Sequence, residues 1–317
     1  MCLHFKNDIK DEVRMSQETT QEPTAKKVVV YQPAGLETVT IRRYIEYRVT
    51  DDGVLTMDIY YPPNSTRDAR LPAVVIVAGY PDQGFQKMIG CQFKEMGSSV
   101  SWGKLAAVSG LAAITYTNQD PAADVQALLQ YLRQNAVALG IDENRIGVWA
   151  SSGNVPLAMS ILMQKDPEYL KCAVLCYGYM LDLDGTSYAA EAAMKWGFAN
   201  PNLGKSINDL PRDTPLFIVR AGGDQMPHLN ETIDRFLARA LTRNLPISLV
   251  NYPGAPHAFD LFHDSETSRE IIRRILAFMR FHLLTDRDNE MQIRAFGGQG
   301  DSFRENRPPG PPAKAFH

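Results

Sequence analysis

The sequence predicts a doubly wound α/β fold: a mostly parallel sheet with helices on both faces and an antiparallel hairpin at one edge. Three observations carry that expectation. Short, β-branched apolar runs without alternation recur along the chain, the pattern of strands buried on both faces. Helical periodicity separates them, so strand alternates with helix. Two further strand-like runs flank a turn signal ahead of the first buried strand, which pairs them antiparallel.

Taken in order, residues 1–26 are rich in Gln, Glu, Thr and Lys with no apolar period, and residues 295–317 are equally poor in core-forming side chains. Neither can offset its ordering entropy, so both are expected as disordered tails around a domain spanning 27–294. Runs 38–50 and 54–61 flank Asp51-Asp52-Gly53 and form the hairpin. Buried strands are expected at 73–78, 111–116, 145–150, 172–177, 216–220 and 247–252. One helix opens at Asp120-Pro121 with Val125, Leu128, Leu129 and Leu132 on one face, and a second opens at Asn230 with Ile233, Phe236, Leu237 and Leu241. A last helix starts at the capping box Thr267-x-x-Glu270 and turns Ile271, Ile275, Phe278, Met279 and Leu283 inward. Residues 178–212 break the rhythm. Too long for a plain connection and holding Trp196, Phe198 and an Ala-rich helix around 188–193, they are expected as a short cap-like insert after the sixth strand, over one end of the sheet.

Composition narrows the functions. With 317 residues, 44% hydrophobic and 22% charged, the chain is that of an ordinary globular protein. Thirty-three Lys plus Arg against 36 Asp plus Glu give a formal net charge of −3, leaving no basic excess for a nucleic acid or an anionic membrane surface. The longest apolar runs, 74–78 and 111–114, fall far short of the roughly 20 residues of a membrane span. Charges scattered through the first residues argue against a signal peptide. Four cysteines (Cys2, Cys91, Cys172, Cys176) make no disulfide framework. Cys172 and Cys176 lie about 13 Å apart on one strand, too far to bond. A reducing cytoplasm is the expected location, and homo-oligomerisation is left open.

The strand RIGVWA runs into Ser151, Ser152, Gly153 and Asn154 and then into VPLAMSILM, the strand, sharp turn and helix of a nucleophile elbow. Such a turn crowds the positions two before and two after the nucleophile. For Ser152 these are Ala150 and Asn154; for Ser151 they would be Trp149 and Gly153, and a Trp there is sterically implausible. Asn154 replaces a glycine, and Asn is the residue after Gly most tolerant of unusual backbone angles. A Ser hydroxyl needs a base within reach, usually a His oriented by a carboxylate. His4 and His317 lie in the tails and His282 late on the last helix, leaving His228, His257 and His263. His257, in YPGAPHAFD, follows the strand at 247–252 at the C-terminal end where open α/β sheets place reacting groups. Asp224, in AGGDQMPH, occupies the corresponding place after 216–220, with Asp182 as the alternative acid. Oxyanion donors are expected from the Gly153 N–H and from the loop AGYPDQG, where Pro81 has no N–H and Tyr80 remains, Gly79 giving the backbone room to turn.

RIGVWASSGN, AGGDQMPH and YPGAPHAFD, with AGYPD upstream, resemble the α/β-hydrolase superfamily, most closely its dienelactone hydrolase-like serine esterase branch, over roughly residues 38–285. The resemblance implies an eight-stranded sheet and a triad in the chain order Ser152, Asp224, His257, with Tyr80 and Gly153 as oxyanion donors. Dienelactone hydrolases proper carry Cys where this chain has Ser152, which points to ester hydrolysis in general. Haloalkane dehalogenases and epoxide hydrolases place Asp at the elbow, and this chain does not. Prolyl-oligopeptidase-like enzymes carry a large N-terminal propeller for which too little chain precedes the third strand. The implied chemistry is cleavage of a small-molecule carboxylic ester through an acyl-enzyme. Alternatives are a ligand-binding protein on the same fold with slow or absent turnover, and acyl transfer to another acceptor, perhydrolysis included. Met88, Trp196, Phe198 and Met226, beside Tyr80, are expected to line an apolar pocket suited to acyl or aryl groups. No metal-ligand cluster, phosphate loop or dinucleotide fingerprint is present, so neither metal nor cofactor is expected.

Overall fold

Strands β1 (Thr40–Thr50), β2 (Gly53–Tyr61), β3 (Leu71–Ile76), β4 (Ala112–Tyr116), β5 (Ile141–Ser151), β6 (Leu170–Cys176), β7 (Leu216–Ala221) and β8 (Ile247–Tyr252) hydrogen-bond into one eight-stranded sheet. The structure is a computed structural model that describes residues 23–66, 69–165, 167–285 and 288. The strand order is β1-β2-β4-β3-β5-β6-β7-β8. β1 pairs β2 and β2 pairs β4 antiparallel, and every later pairing is parallel. β3 therefore lies between β4 and β5: the chain winds outward to β4, then returns across β3 to begin β5. Its direction of winding reverses there, and the crevice outside the C-terminal ends of β3 and β5 is where such sheets bind ligands.

The longer helices are α1 (Asp82–Ile89), α2 (Gly97–Val108), α3 (Pro121–Gln134), α4 (Val155–Leu162), α5 (Tyr188–Trp196), α6 (Leu229–Thr242) and α7 (Glu266–Leu283), with single helical turns at Ala136–Leu139 and Phe259–Phe262. Asp120 caps α3 by accepting the N–H groups of Ala122 and Ala123, and Pro121 supplies the fixed φ of a first helical residue. The last helix starts earlier than the Thr267 box predicts, because Ser265 accepts the Ser268 N–H and is the cap in use. Neither α1 nor α2 was legible in the sequence. In α2 the buried face includes Ser99, Ser101 and Gly103 beside Trp102 and Leu105, so polar and small residues interrupt the apolar stripe that would announce it. β8 also departs from expectation. It is an edge strand, with Ser248, Leu249 and Asn251 exposed and Val250 its one fully buried residue.

At the N-terminal end of the described residues, Thr24–Lys26 forms a 3-10 turn, and the next residues dock on α2 with Val29 fully buried and its N–H on Ser101 Oγ. Residues 1–22 and the C-terminal tail expected at 295–317 lie outside the described residues. Within the insert, Asp182 accepts the N–H groups of Ala189 and Ala190 at the start of α5, which packs against α6. Ala199 N–H then bonds Gly79 O at 2.8 Å, joining the insert to the loop after β3. Among the described residues no helix is long and apolar enough to cross a membrane.

One buried ion pair positions the wall of the site. Lys94 and Asp58 are 1% and 0% exposed, and Lys94 Nζ reaches both Asp58 carboxylate oxygens at 3.1–3.2 Å. Asp58 also accepts the Tyr44 N–H and a bond from Arg43, while Lys94 sits over the Tyr44 ring. The pair ties the α1–α2 connection to β2. Removing one member of such a pair strands the other as a buried charge. Asp58→Ala is therefore expected to lower unfolding free energy by about 3–5 kcal/mol in urea titration. Lys94→Met should cost less, since Arg43 and the Tyr44 N–H still satisfy Asp58.

Candidate active site

β5 delivers its last residue, Ser151, to the sheet's C-terminal edge, and the chain then turns sharply into α4 through Ser152, Gly153 and Asn154. Ser152 takes φ 54°, the left-handed region that a side-chain-bearing residue enters at a cost of about 1–3 kcal/mol. Its hydroxyl stands 2.8 Å from His257 Nε2, and His257 Nδ1 lies 2.6 Å from Asp224 Oδ2. The Asp224 carboxylate is wholly buried and the imidazole keeps 29% exposure. Asp224 Oδ1 accepts the Met226 N–H at 2.9 Å. The loops after β7 and β8 are braced together, Gly222 N–H donating to Tyr252 O and Gly223 N–H to Ala255 O, so the acid and the imidazole are held in register by backbone.

Asn154 has a different role from the one expected. Its φ of −86° is ordinary helical backbone, and the unusual angle belongs to Ser152. The Asn154 side chain is a brace: Nδ2 donates to Ser151 O at 3.0 Å and Oδ1 accepts the Gly79 N–H at 2.7 Å, locking the elbow to the loop after β3. Gly79 is required by this close approach, since a Cβ there would stand 2.9 Å from Asn154 Cα and Gly153 O. A Cβ on Gly153 would stand 2.2 Å from Tyr80 Oη, so the Tyr80 ring lies directly over Gly153. Burial, with Tyr179 nearby, pushes the Tyr80 phenol up to about 12.

A cavity of about 300 Å³ opens beside Ser152 and His257. Phe85, Phe93, Met96, Trp102 and Leu261 form much of its wall, and half-exposed Met88 stands at it. Three expected lining residues do not reach it. Phe198 is buried behind Tyr80, packed on the rings of Tyr80 and Tyr179. Trp196 lies on the exposed face of α5, 41% exposed under the Lys195 ammonium. Met226 packs on the core beside the Asp224 loop. The insert thus supports the site from behind and does not roof it, while Thr24 from the ordered N-terminal turn lines the cavity instead.

The other candidates are engaged elsewhere. His228 stacks on Tyr188 and bonds Glu231, His263 bonds Tyr252, and His282 packs against Phe278 and Phe281 with burial pushing its pKa down. Asp182 caps α5. Among the described residues no group of three or more His, Cys, Asp or Glu could hold a metal ion.

Sequence reasoning missed a second buried carboxylate. Asp260, three residues after His257, accepts Trp102 Nε1–H at 2.9 Å and the Tyr177 hydroxyl at 2.5 Å. Burial raises its pKa, with the Tyr177 and Trp102 bonds opposing. Tyr177, at φ 36°, sets its ring edge-on to the His257 imidazole at 5.2 Å, so this network packs against the imidazole that Asp224 holds at Nδ1. The sequence signal is the acid closing the motif YPGAPHAFD, which reads as an ordinary helix-entry residue until Trp102 and Tyr177 are seen to face it.

No family model matches the chain, and no curated protein matches it either. Solved structures do. The chain is similar to a bacterial heroin esterase at TM-score 0.62 and 18% identity, over 79% of this chain and 86% of that one. It is similar to EstE1, a thermophilic carboxylesterase cloned from a metagenomic library, at TM-score 0.60 and 18% identity, over 81% and 92%. Esterase 2 of the planctomycete Thermogutta terrifontis gives TM-score 0.57 and 19% identity, over 80% and 97%. Together with the strand order and the antiparallel β1–β2 pair, these likenesses identify the fold as that of the α/β-hydrolases.

Proposed function

We propose that the protein is a serine hydrolase that cleaves a carboxylic ester of a small molecule through an acyl-enzyme on Ser152. The observation that carries this reading is the continuous hydrogen-bond chain Ser152, His257, Asp224 beside a largely apolar cavity. As Ser152 Oγ attacks the ester carbonyl, His257 Nε2 takes its proton and then passes it to the departing alcohol. Asp224 holds the imidazole in the tautomer with Nε2 free and stabilises its charged form. The backbone N–H groups of Tyr80 and Gly153 receive the oxyanion. Among the described residues the Tyr80 N–H makes no hydrogen bond, which leaves it free for that use. Water, activated by the same imidazole, releases the acid, and the partly exposed imidazole is accessible to it. The names of the structural neighbours, heroin esterase and carboxylesterase, fit this chemistry. Within it, the His257 motif favours a dienelactone hydrolase-like serine esterase, working in the cytoplasm without metal or cofactor.

A fluorophosphonate probe followed by peptide mapping is expected to label the Ser152 peptide and to leave Ser152→Ala unlabelled. Label on Ser151, or none on folded protein, would overturn the assignment. Asp224→Asn should lower kcat by about 10⁴-fold, the scale seen when a triad acid loses control of the tautomer, while Asp182→Asn should change stability and leave kcat near wild type.

A further inference from the structure

Part of the cavity beside Ser152 is walled by a segment outside the sheet and its longer helices. Thr24, exposed in the 3-10 turn Thr24–Lys26, lines it. The turn buries none of its own residues, so it adds to the cavity wall without adding to the core. Bonds to two other walls hold it there. On the α2 side, Val29 N–H reaches Ser101 Oγ at 3.3 Å, and Gln32 Nε2 donates to Val29 O at 2.7 Å and to the same hydroxyl at 3.2 Å. On the His257 side, Val30 N–H donates at 2.8 Å to the backbone carbonyl of Asp260. Trp102 of α2 and Asp260 both line the cavity, so residues 24–30 tie two of its walls together.

Helix α2 is shaped to receive the turn. A Cβ on Gly97 would stand 2.6 Å from Lys26 O and 2.7 Å from Lys27 O, backbone atoms that cannot rotate away, so glycine is what lets the turn lie this close. Met96 and Ser98, on either side of Gly97, line the cavity, and Gly97 itself does not. We infer that residues 24–27 are a specificity-determining wall: Thr24 limits the length of the hydrocarbon chain that the cavity accepts from an ester, and Gly97 fixes where that wall stands. The inference rests on the esterase reading of Ser152 and deepens it, since it names the substrate class as an ester whose lodged group is short and apolar. Shortness follows from volume: about 300 Å³ is the lower end of small-molecule sites, so one side chain at the wall decides which homologue fits. The apolar character follows from Phe85, Phe93, Met96 and Leu261, and among the described residues no Lys or Arg lines the cavity to hold an anionic group.

The test measures kcat/KM across two homologous series, p-nitrophenyl esters from acetate to decanoate and acetates of alcohols from ethanol to decanol, so that whichever side of the ester enters the cavity is sampled. In the wild type one series is expected to show an optimum length beyond which kcat/KM falls. Thr24→Trp should move that optimum to shorter chains and Gly97→Ala, which pushes the turn off the helix, to longer ones, each by about two carbons and with about tenfold changes at the lengths between. Thr24→Gly, which removes only a side chain from an exposed turn, should shift it the same way as Gly97→Ala and replaces that variant if it does not fold. Opposite shifts from the two Thr24 variants are not produced by general loss of stability. An absent optimum in both wild-type series, an optimum that neither Thr24 variant moves, or shifts of both in one direction overturns the inference. Those outcomes leave ester turnover intact; no turnover of any ester by folded wild-type protein defeats the esterase reading beneath it.

Discussion

The left-handed backbone of Ser152 is the constraint on which the rest of the site depends. A strand that simply ran on into a helix would bury the hydroxyl or aim it along the sheet. With φ at 54°, the chain reverses within one residue and Ser152 is set at the sheet's edge, facing the loop that carries His257. The strain persists because the surroundings over-determine it. Asn154 binds the elbow to the loop after β3, the Tyr80 ring covers Gly153, and α4 follows immediately with a fully buried first turn.

Cross-bracing between loops is the means by which a parallel sheet fixes three residues that are distant in sequence. Parallel strands all end on the same side, so the loops after β3, β5, β7 and β8 gather there by topology alone. Gathering is not alignment. The distances of 2.8 Å and 2.6 Å along the Ser152, His257 and Asp224 chain follow from backbone bonds between the Asp224 and His257 loops, from the buried Asp224 carboxylate, and from the Tyr177 ring, bonded to Asp260, packed edge-on against the imidazole.

Two sets of buried charges bear on the site. Lys94 and Asp58 neutralise each other in the core and anchor the α1–α2 connection, so their effect on the site is geometric. Asp224 contacts the His257 imidazole directly, and Asp260 bonds the Tyr177 hydroxyl, whose ring packs edge-on against that imidazole. Both acids stay buried because N–H and O–H donors reach them, the condition under which a carboxylate tolerates a low-dielectric interior.

The sequence by itself determined the sheet, the elbow and the three residues aligned at it. Buried strands have a compositional signature that needs no partner to be read, and the elbow, the acid loop and the histidine loop each sit directly after one. Tertiary structure alone decided the cavity. Trp196, Phe198 and Met226 are apolar residues near the right loops, yet orientation, which composition does not encode, turns them away from it. Thr24, Trp102, Trp149 and Asp260 come to the site from four separate segments, and α2 carries too many small and polar residues to show periodicity. Their roles arise from packing between segments distant in sequence, and local pattern holds no record of which distant side chain a residue will meet.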